Sequence, residues 1–184
     1  MPDIEGVRYE IIDGELYVSR QANEGHQYVC SILNMALQAW SLQAGIGMAM
    51  PTPGLVFAED NNVIPDLVWI SSVRRAEAID DEGHYRLAPE LVVEVLSPGS
   101  MNERRDRELK LDLYSRHGVH EYWIVDPQAH LVEVYRRGST SRGGKSELKL
   151  VATLGNGDEL TSPLLPGFGC LVVSLWAPPL SSGG

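Results

Sequence analysis

The sequence predicts an α+β fold: a mixed sheet carrying about two long helices, entered through a β-hairpin. Three observations predict it. Two segments repeat apolar residues at helical spacing, and several short runs alternate apolar and polar residues. A third kind of run, residues 90 to 96 in "PELVVEVLSPGS", is Leu or Val at every position but Glu90 at its head and Glu94 in its middle, as expected of a strand covered on both faces. At 184 residues the chain suits one compact domain, expected over residues 1–178, with a disordered tail at 179–184.

In "YEIIDGELYVS", Asp13-Gly14 separates two alternating runs, which is a strong short-range hairpin signal and predicts strands at 9–12 and 15–19. "NEGHQYVCSILNMALQAWSLQAG" then spaces Val29, Leu33, Leu37 and Trp40 for one helix face, with Asn23 as cap and Gly45 as stop. Short strands follow at 46–50, 55–59 and 63–70, divided by Pro-Thr-Pro-Gly and Asp-Asn-Asn turn chemistry. The polar segment "SSVRRAEAIDDEGHYRLA" offers either one short helix or a lid. After strand 90–96, Ser100 and Glu103 make a capping-box pattern for a helix that Gly118 closes. "EYWIVD", "LVEVYRR" and "LKLVATL" read as strands, the first two joined through a turn at Asp126-Pro127 and the last two by a mobile loop, "RGSTSRGGKSE".

Composition narrows the function. Forty-three per cent apolar and 22% charged residues are ordinary for a soluble protein, and no apolar run approaches the roughly 20 residues that span a bilayer. The polar, acidic start "MPDIEGVRYE" does not read as a secretory signal, so a cytoplasmic location is expected. Cys30 and Cys170 each sit among apolar residues, without a CxxC or Cys/His cluster in sequence, and read as buried free thiols ahead of a disulfide or metal site. A net charge of −10 disfavours nucleic acid globally, although a local basic patch or bound divalent cations reverse the sign at one face. "NERRDRELK" is such a patch, with acids interleaved, and otherwise reads as a solvated helix face.

Three polar residues stand where apolar ones are expected. Alternation along 90–96 puts Glu94 on the same face as Val92 and Leu96. A buried carboxylate has to be ion-paired, protonated or metal-bound, and a structural ion pair satisfies that as well as a metal does. Asp66 heads the apolar strand in "NNVIPDLVWI", held extended by Pro65; alone it reads as a turn residue. In the second helix, with Leu109 set at zero, Leu113 falls at about 40°, Tyr114 at about 140° and Leu111 at about 200°. Lys110 at about 100° and Asp106 at about 60° lie inside that apolar arc and point toward the sheet, unless they form an i,i+4 surface pair. Asp66 and Glu94 with the backbone carbonyl of Val95 suit a hard cation, Mg²⁺ with Mn²⁺ as substitute, and an ammonium beside them can position water or offset phosphate charge.

"PDLVWI", "PELVVEVLSPGS" and "DRELKLDLYSRHGVHEYWIVDP", with "DGELYV", the Gly-His-Gln of "EGHQ" and "SPLLPGF", resemble the Uma-two family of restriction-endonuclease-like proteins within the PD-(D/E)XK nuclease superfamily. The resemblance covers roughly residues 8–176. It implies a restriction-endonuclease-like mixed central sheet flanked by helices and a metal site near the split of the central strands. Asp66 matches the Asp of the first motif and Glu94 the acid of the second. The position two after Glu94 is Leu96 where the superfamily has lysine, and Lys110 on the helix matches the place to which that role moves in the family. His26 and Glu15 are secondary candidates near the first helix, while Asp106 and Tyr114 are expected to hold Lys110.

The leading expectation is a Mg²⁺-dependent endonuclease, catalysed by Asp66, Glu94 and Lys110 and acting on nucleic acid, DNA in the first instance. The alternative keeps the fold without turnover, as a protein-interaction or DNA-binding module; a structural or regulatory dimer comes third. "EYWIVD" and "LVEVYRR" are the strands expected to join two chains into a homodimer, edge to edge or face to face.

Overall fold

A computed structural model describes residues 7–20, 22–97, 99, 103–138 and 147–178. β1 (Val7–Ile12) and β2 (Glu15–Arg20) form the expected hairpin. Its turn residues both have positive φ, 51° at Asp13 and 79° at Gly14, as the right-handed twist of a two-residue hairpin requires. α1 (Glu24–Ala44) starts where the Asn23 side chain accepts the His26 N–H and stops at left-handed Gly45.

β3 (Gly47–Pro51) and β4 (Leu55–Ala58) follow. The strand expected at 63–70 is two: β5 (Asn61–Val63) and β6 (Leu67–Ser71), in different sheets. The break falls at Ile64-Pro65-Asp66, where proline has no N–H to give a ladder, and the apolar run hides it. The polar segment holds one short helix, α2 (Ser72–Ala78), capped by the Ser71 side chain. β7 (Leu91–Val95) is the buried strand.

The second long helix departs from the expectation near its start: after α-helical Glu103 and Arg104 comes a π-helical stretch, Arg105–Lys110, that runs into α3 (Leu111–His117) and ends at left-handed Gly118. Ser100, and with it the expected capping box, lies outside the described residues. β8 (Glu121–Asp126), β9 (Leu131–Arg137) and β10 (Leu148–Leu154) follow, with Asp126 accepting the N–H groups of Gln128 and Ala129 in the expected turn. β11 (Glu159–Leu160), β12 (Cys170–Leu171) and a 3₁₀ turn, Val172–Leu175, end the described chain. Most of the loop expected before β10, and the tail at 179–184, lie outside the described residues.

The strands build a six-stranded sheet, β10-β9-β8-β7-β6-β3, and a four-stranded antiparallel sheet, β2-β1-β5-β4, beside a small β11-β12 pair. Within the large sheet β7 and β8 are parallel and the other neighbours antiparallel, so the sheet is mixed. Parallel neighbours need a crossover, and the segment carrying α3 supplies it. "EYWIVD" and "LVEVYRR" are β8 and β9, each paired on both sides, so neither offers a free edge to a second chain; β10 and β3 are the edges.

Alternation along β7 divides the core. Leu91, Val93 and Val95 face α1, packing with Val29, Leu33 and Leu37. Val92 and Leu96 face the other way, into a cluster with Leu113, Tyr114, Tyr122 and, from the four-stranded sheet, Ile12, Leu55 and Val63. Each fully buried Leu or Val contributes about 1.5–3 kcal/mol, so both faces are firmly held. Glu94 belongs to the second face, enclosed between the sheet, the π-helical stretch and β1.

Candidate active site

β6 and β7 pair antiparallel only as far as Leu67 opposite Val93. Beyond that pair the strands part, and the Val95 N–H donates to the side chain of Asp66 at Oδ2, 2.9 Å away. Pro65 and the departure of β5 to the other sheet put Asp66 at this split. His26 Nε2, from the first turn of α1, lies 3.1 Å from the same oxygen, and Arg8 Nη1, from β1, donates to Oδ1 at 3.0 Å. Asp66 is 4% exposed.

One residue before Val95, Glu94 Oε1 accepts from Lys110 Nζ at 2.9 Å and from the Tyr114 hydroxyl at 2.8 Å. Lys110 Nζ also stands 2.9 Å from Glu10 Oε1 and 3.6 Å from Asp106 Oδ1, and is completely enclosed. Glu10, from β1, takes the Ile64 N–H at 2.9 Å. Arg105 Nε donates to Asp106 at 3.1 Å.

Asp66, Glu94, Lys110, Asp106, Tyr114 and His26 therefore meet at the split, as does Val95 through its N–H. The surface-pair alternative for Asp106 and Lys110 does not hold, because both are buried. Glu15 is elsewhere, exposed on β2 with its carboxylate accepting from Tyr17. Sequence reasoning missed Arg8 and Glu10, and read Arg105 with the solvated helix face. A regular helix places Arg105 about 130° from the centre of the apolar arc. The π-helical stretch adds a residue to the turn and carries Arg105 inward, so "NERRDRELK" is not wholly a solvated face. Arg104 and Arg107 keep to the outside, paired with Glu108 and with Asp126 and Glu133. Alternation back from Ile12 gives Glu10 the same face as an apolar core residue, a signal of the kind that exposed Glu94.

The charges are unbalanced. Four buried carboxylates, Glu10, Asp66, Glu94 and Asp106, face the cations Arg8, Arg105 and Lys110. Burial, reinforced by Asp66, Asp106 and Glu10, pushes Glu94 up to about 8, against the pull of Lys110. Burial also opposes charge on Lys110, yet Glu10, Glu94 and Asp106 hold its ammonium above the usual range. Both directions agree if Glu10 keeps the ammonium: burial raises Glu10, but Lys110 and the Ile64 N–H outweigh it. Glu94 then carries the proton. Asp66, despite burial, is held well below the carboxylate range by His26, Arg8 and the Val95 N–H. Glu10 Oε2 is buried without a hydrogen-bond partner, with Arg105 Nη1 at 3.8 Å. With the proton on Glu94 three carboxylates face three cations, so a divalent cation fits this oxygen-rich centre in place of that proton.

A family model described as "Putative restriction endonuclease", Uma2, matches residues 1–174. The chain belongs to the Uma2 family. The Uma2 fold seen here also resembles the crystal structure of a putative nuclease belonging to DUF820 from Anabaena variabilis, with a TM-score of 0.70 at 18% identity over 95% of this chain and 92% of that one. No curated protein matches the chain. Among the described residues, no helix is long and apolar enough to cross a membrane.

Proposed function

We propose that this Uma2 chain is a divalent-cation-dependent endonuclease hydrolysing phosphodiester bonds of DNA. The observation that carries it is the meeting of Asp66 and Glu94 at the β6–β7 split with Lys110 at 2.9 Å from Glu94. Asp66, Glu94 and the carbonyl of Val95 would hold Mg²⁺, with Mn²⁺ as substitute, which supplies an acidified water and charge on phosphate oxygens. Lys110, fixed by Glu10 and Asp106, offers its ammonium to the phosphate or the attacking water. Tyr114 and Asp106 hold Lys110 and Glu94 in register, and His26 orients Asp66. Cutting both strands of a duplex calls for two centres, so a homodimer in the cytoplasm belongs to the proposal; light scattering that shows a monomer at working concentration removes the dimer.

Calorimetric titration of Mg²⁺ and Mn²⁺ into wild type and Glu94→Gln, with DNA and RNA cleavage scored in the same samples, tests the reading. Binding and cleavage present in wild type and lost together in the variant are the expected result. A second reading, a nuclease fold used as a binding module, is favoured by one observation: Glu10 and Arg8 already engage Lys110 and Asp66. Cation binding without turnover on either nucleic acid selects it.

A further inference from the structure

His26 and Cys30 lie one helical turn apart on α1, which puts both on one face. With Asp66 they offer one nitrogen, one sulfur and one oxygen donor within 4.8 Å of one another. The three are already linked: His26 Nε2 is 3.1 Å from Asp66 Oδ2, and His26 Nδ1 is 3.5 Å from Cys30 Sγ. His26 and Asp66 are buried, while Cys30 is a half-buried free thiol with no part in the hydrolytic reading.

We propose that His26, Cys30 and Asp66 form a site for a borderline-soft divalent metal of the Zn²⁺ class. Such an ion takes imidazole, thiolate and carboxylate ligands at about 2.0–2.3 Å in a tetrahedron, which sets the donors about 3.3–3.7 Å apart; the two short contacts here run to opposite ring nitrogens of His26, so the set, which spans up to 4.8 Å, closes on one nitrogen as the ion enters. A sulfur donor excludes the hard cations that Glu94 and Asp66 suit, so the two sets differ in chemistry although they share Asp66. As the sulfur–metal bond forms the thiol proton passes to solvent, leaving one thiolate and one carboxylate to balance two positive charges. His26 commits one ring nitrogen and so gives up one of its two present contacts; water takes the fourth position. If the hydrolytic reading holds, this ion competes for Asp66 and inhibits.

The test uses Co²⁺ as a spectroscopic stand-in on the chelator-treated whole chain. A thiolate-to-cobalt charge-transfer band is expected in wild type and in Cys170→Ser, and is expected to vanish in Cys30→Ser, with Zn²⁺ affinity falling at least about tenfold. Zn²⁺ is also expected to protect Cys30 of the wild type from alkylation, read by peptide mass, a measurement that holds even if Cys30→Ser fails to fold. A wild type without the band, a band that survives Cys30→Ser, or unprotected Cys30 overturns the site. No nucleic acid enters these measurements, so their failure leaves the endonuclease reading standing, and the reverse.

Discussion

Replacing Lys110 with methionine removes the ammonium while keeping most of the side chain's volume and apolar stem. In the folded chain that ammonium is fully enclosed, 2.9 Å from Glu10, 2.9 Å from Glu94 and 3.6 Å from Asp106. Taking one partner from a buried pair costs about 3–5 kcal/mol, because the other charge stays buried without compensation. At about 2–4 °C per kcal/mol in a chain of this size, Tm falls by about 6–20 °C. Glu10 is the ionised partner, so Lys110→Met combined with Glu10→Gln leaves no such charge at that position. The double variant is therefore expected to lie above the sum of the single losses by about 1–3 kcal/mol. Urea unfolding followed by far-UV circular dichroism at pH 7 in chelator measures all four corners of the cycle. A Lys110→Met loss under about 1 kcal/mol, or strict additivity, would refute the assignment of Lys110 to Glu10.

Stability in chelator is expected to depend on pH through Glu94: its folded-state value, about 8, is above the usual carboxylate value, so the stability it contributes is complete below the unfolded value and lost as pH rises through 8. The slope between is at most about 1.4 kcal/mol per pH unit, and Glu94→Gln flattens it. Asp66 and Glu10 act oppositely at the acid end, contributing stability above their unfolded values that is lost as pH falls below them; denaturation midpoints from about pH 2 to about pH 9 show whether an optimum lies between. Tyr114→Phe removes a 2.8 Å bond to Glu94 in a fully buried site and is expected to cost about 1–3 kcal/mol by thermal unfolding. Glu15→Gln, on the exposed hairpin, is expected to change stability by less than about 0.5 kcal/mol and to leave Mg²⁺ titration unaltered, which the same calorimetry checks.

The elements legible in the sequence are those whose signal is local. Asp13-Gly14 dictates a turn with positive φ at both residues, Asn23 and Gly45 bracket α1, and alternation alone assigns Glu94 its face. Lys110 and Asp106 were legible because an apolar arc makes any polar member conspicuous. All the misses but Arg105 share a cause: the deciding partner is distant in the chain. The run 63–70 divides because its first residue belongs to β5, which pairs with β1 in one sheet, while Leu67 of β6 pairs with Val93 of β7 in the other. Glu10 and Arg8 join the centre only once β1 has been placed against β5. Arg105 turns inward because a π-helical stretch changes the helical phase, which no regular wheel shows.

β1 gives the centre its present character. Arg8 and Glu10 are two residues apart in an extended strand and share a face. One places a cation on Asp66 and the other an anion on Lys110. These are the signs that a metal ion and a phosphodiester would bring to the same two groups. Burying Asp66 and Lys110 without such partners would cost several kcal/mol each, so the closed centre is tolerable because β1 supplies surrogate charges. Under the proposed reading, a phosphodiester approaching Lys110 would meet Glu10, and a cation approaching Asp66 would meet Arg8. Under the proposed endonuclease reading, exchange of charge for like charge would keep Asp66 and Lys110 compensated when ligands bind. Arg8 and Glu10 thus stabilise the buried charges of the centre, and under the proposed reading substitutions at either are expected to alter ligand binding through the charge they leave behind.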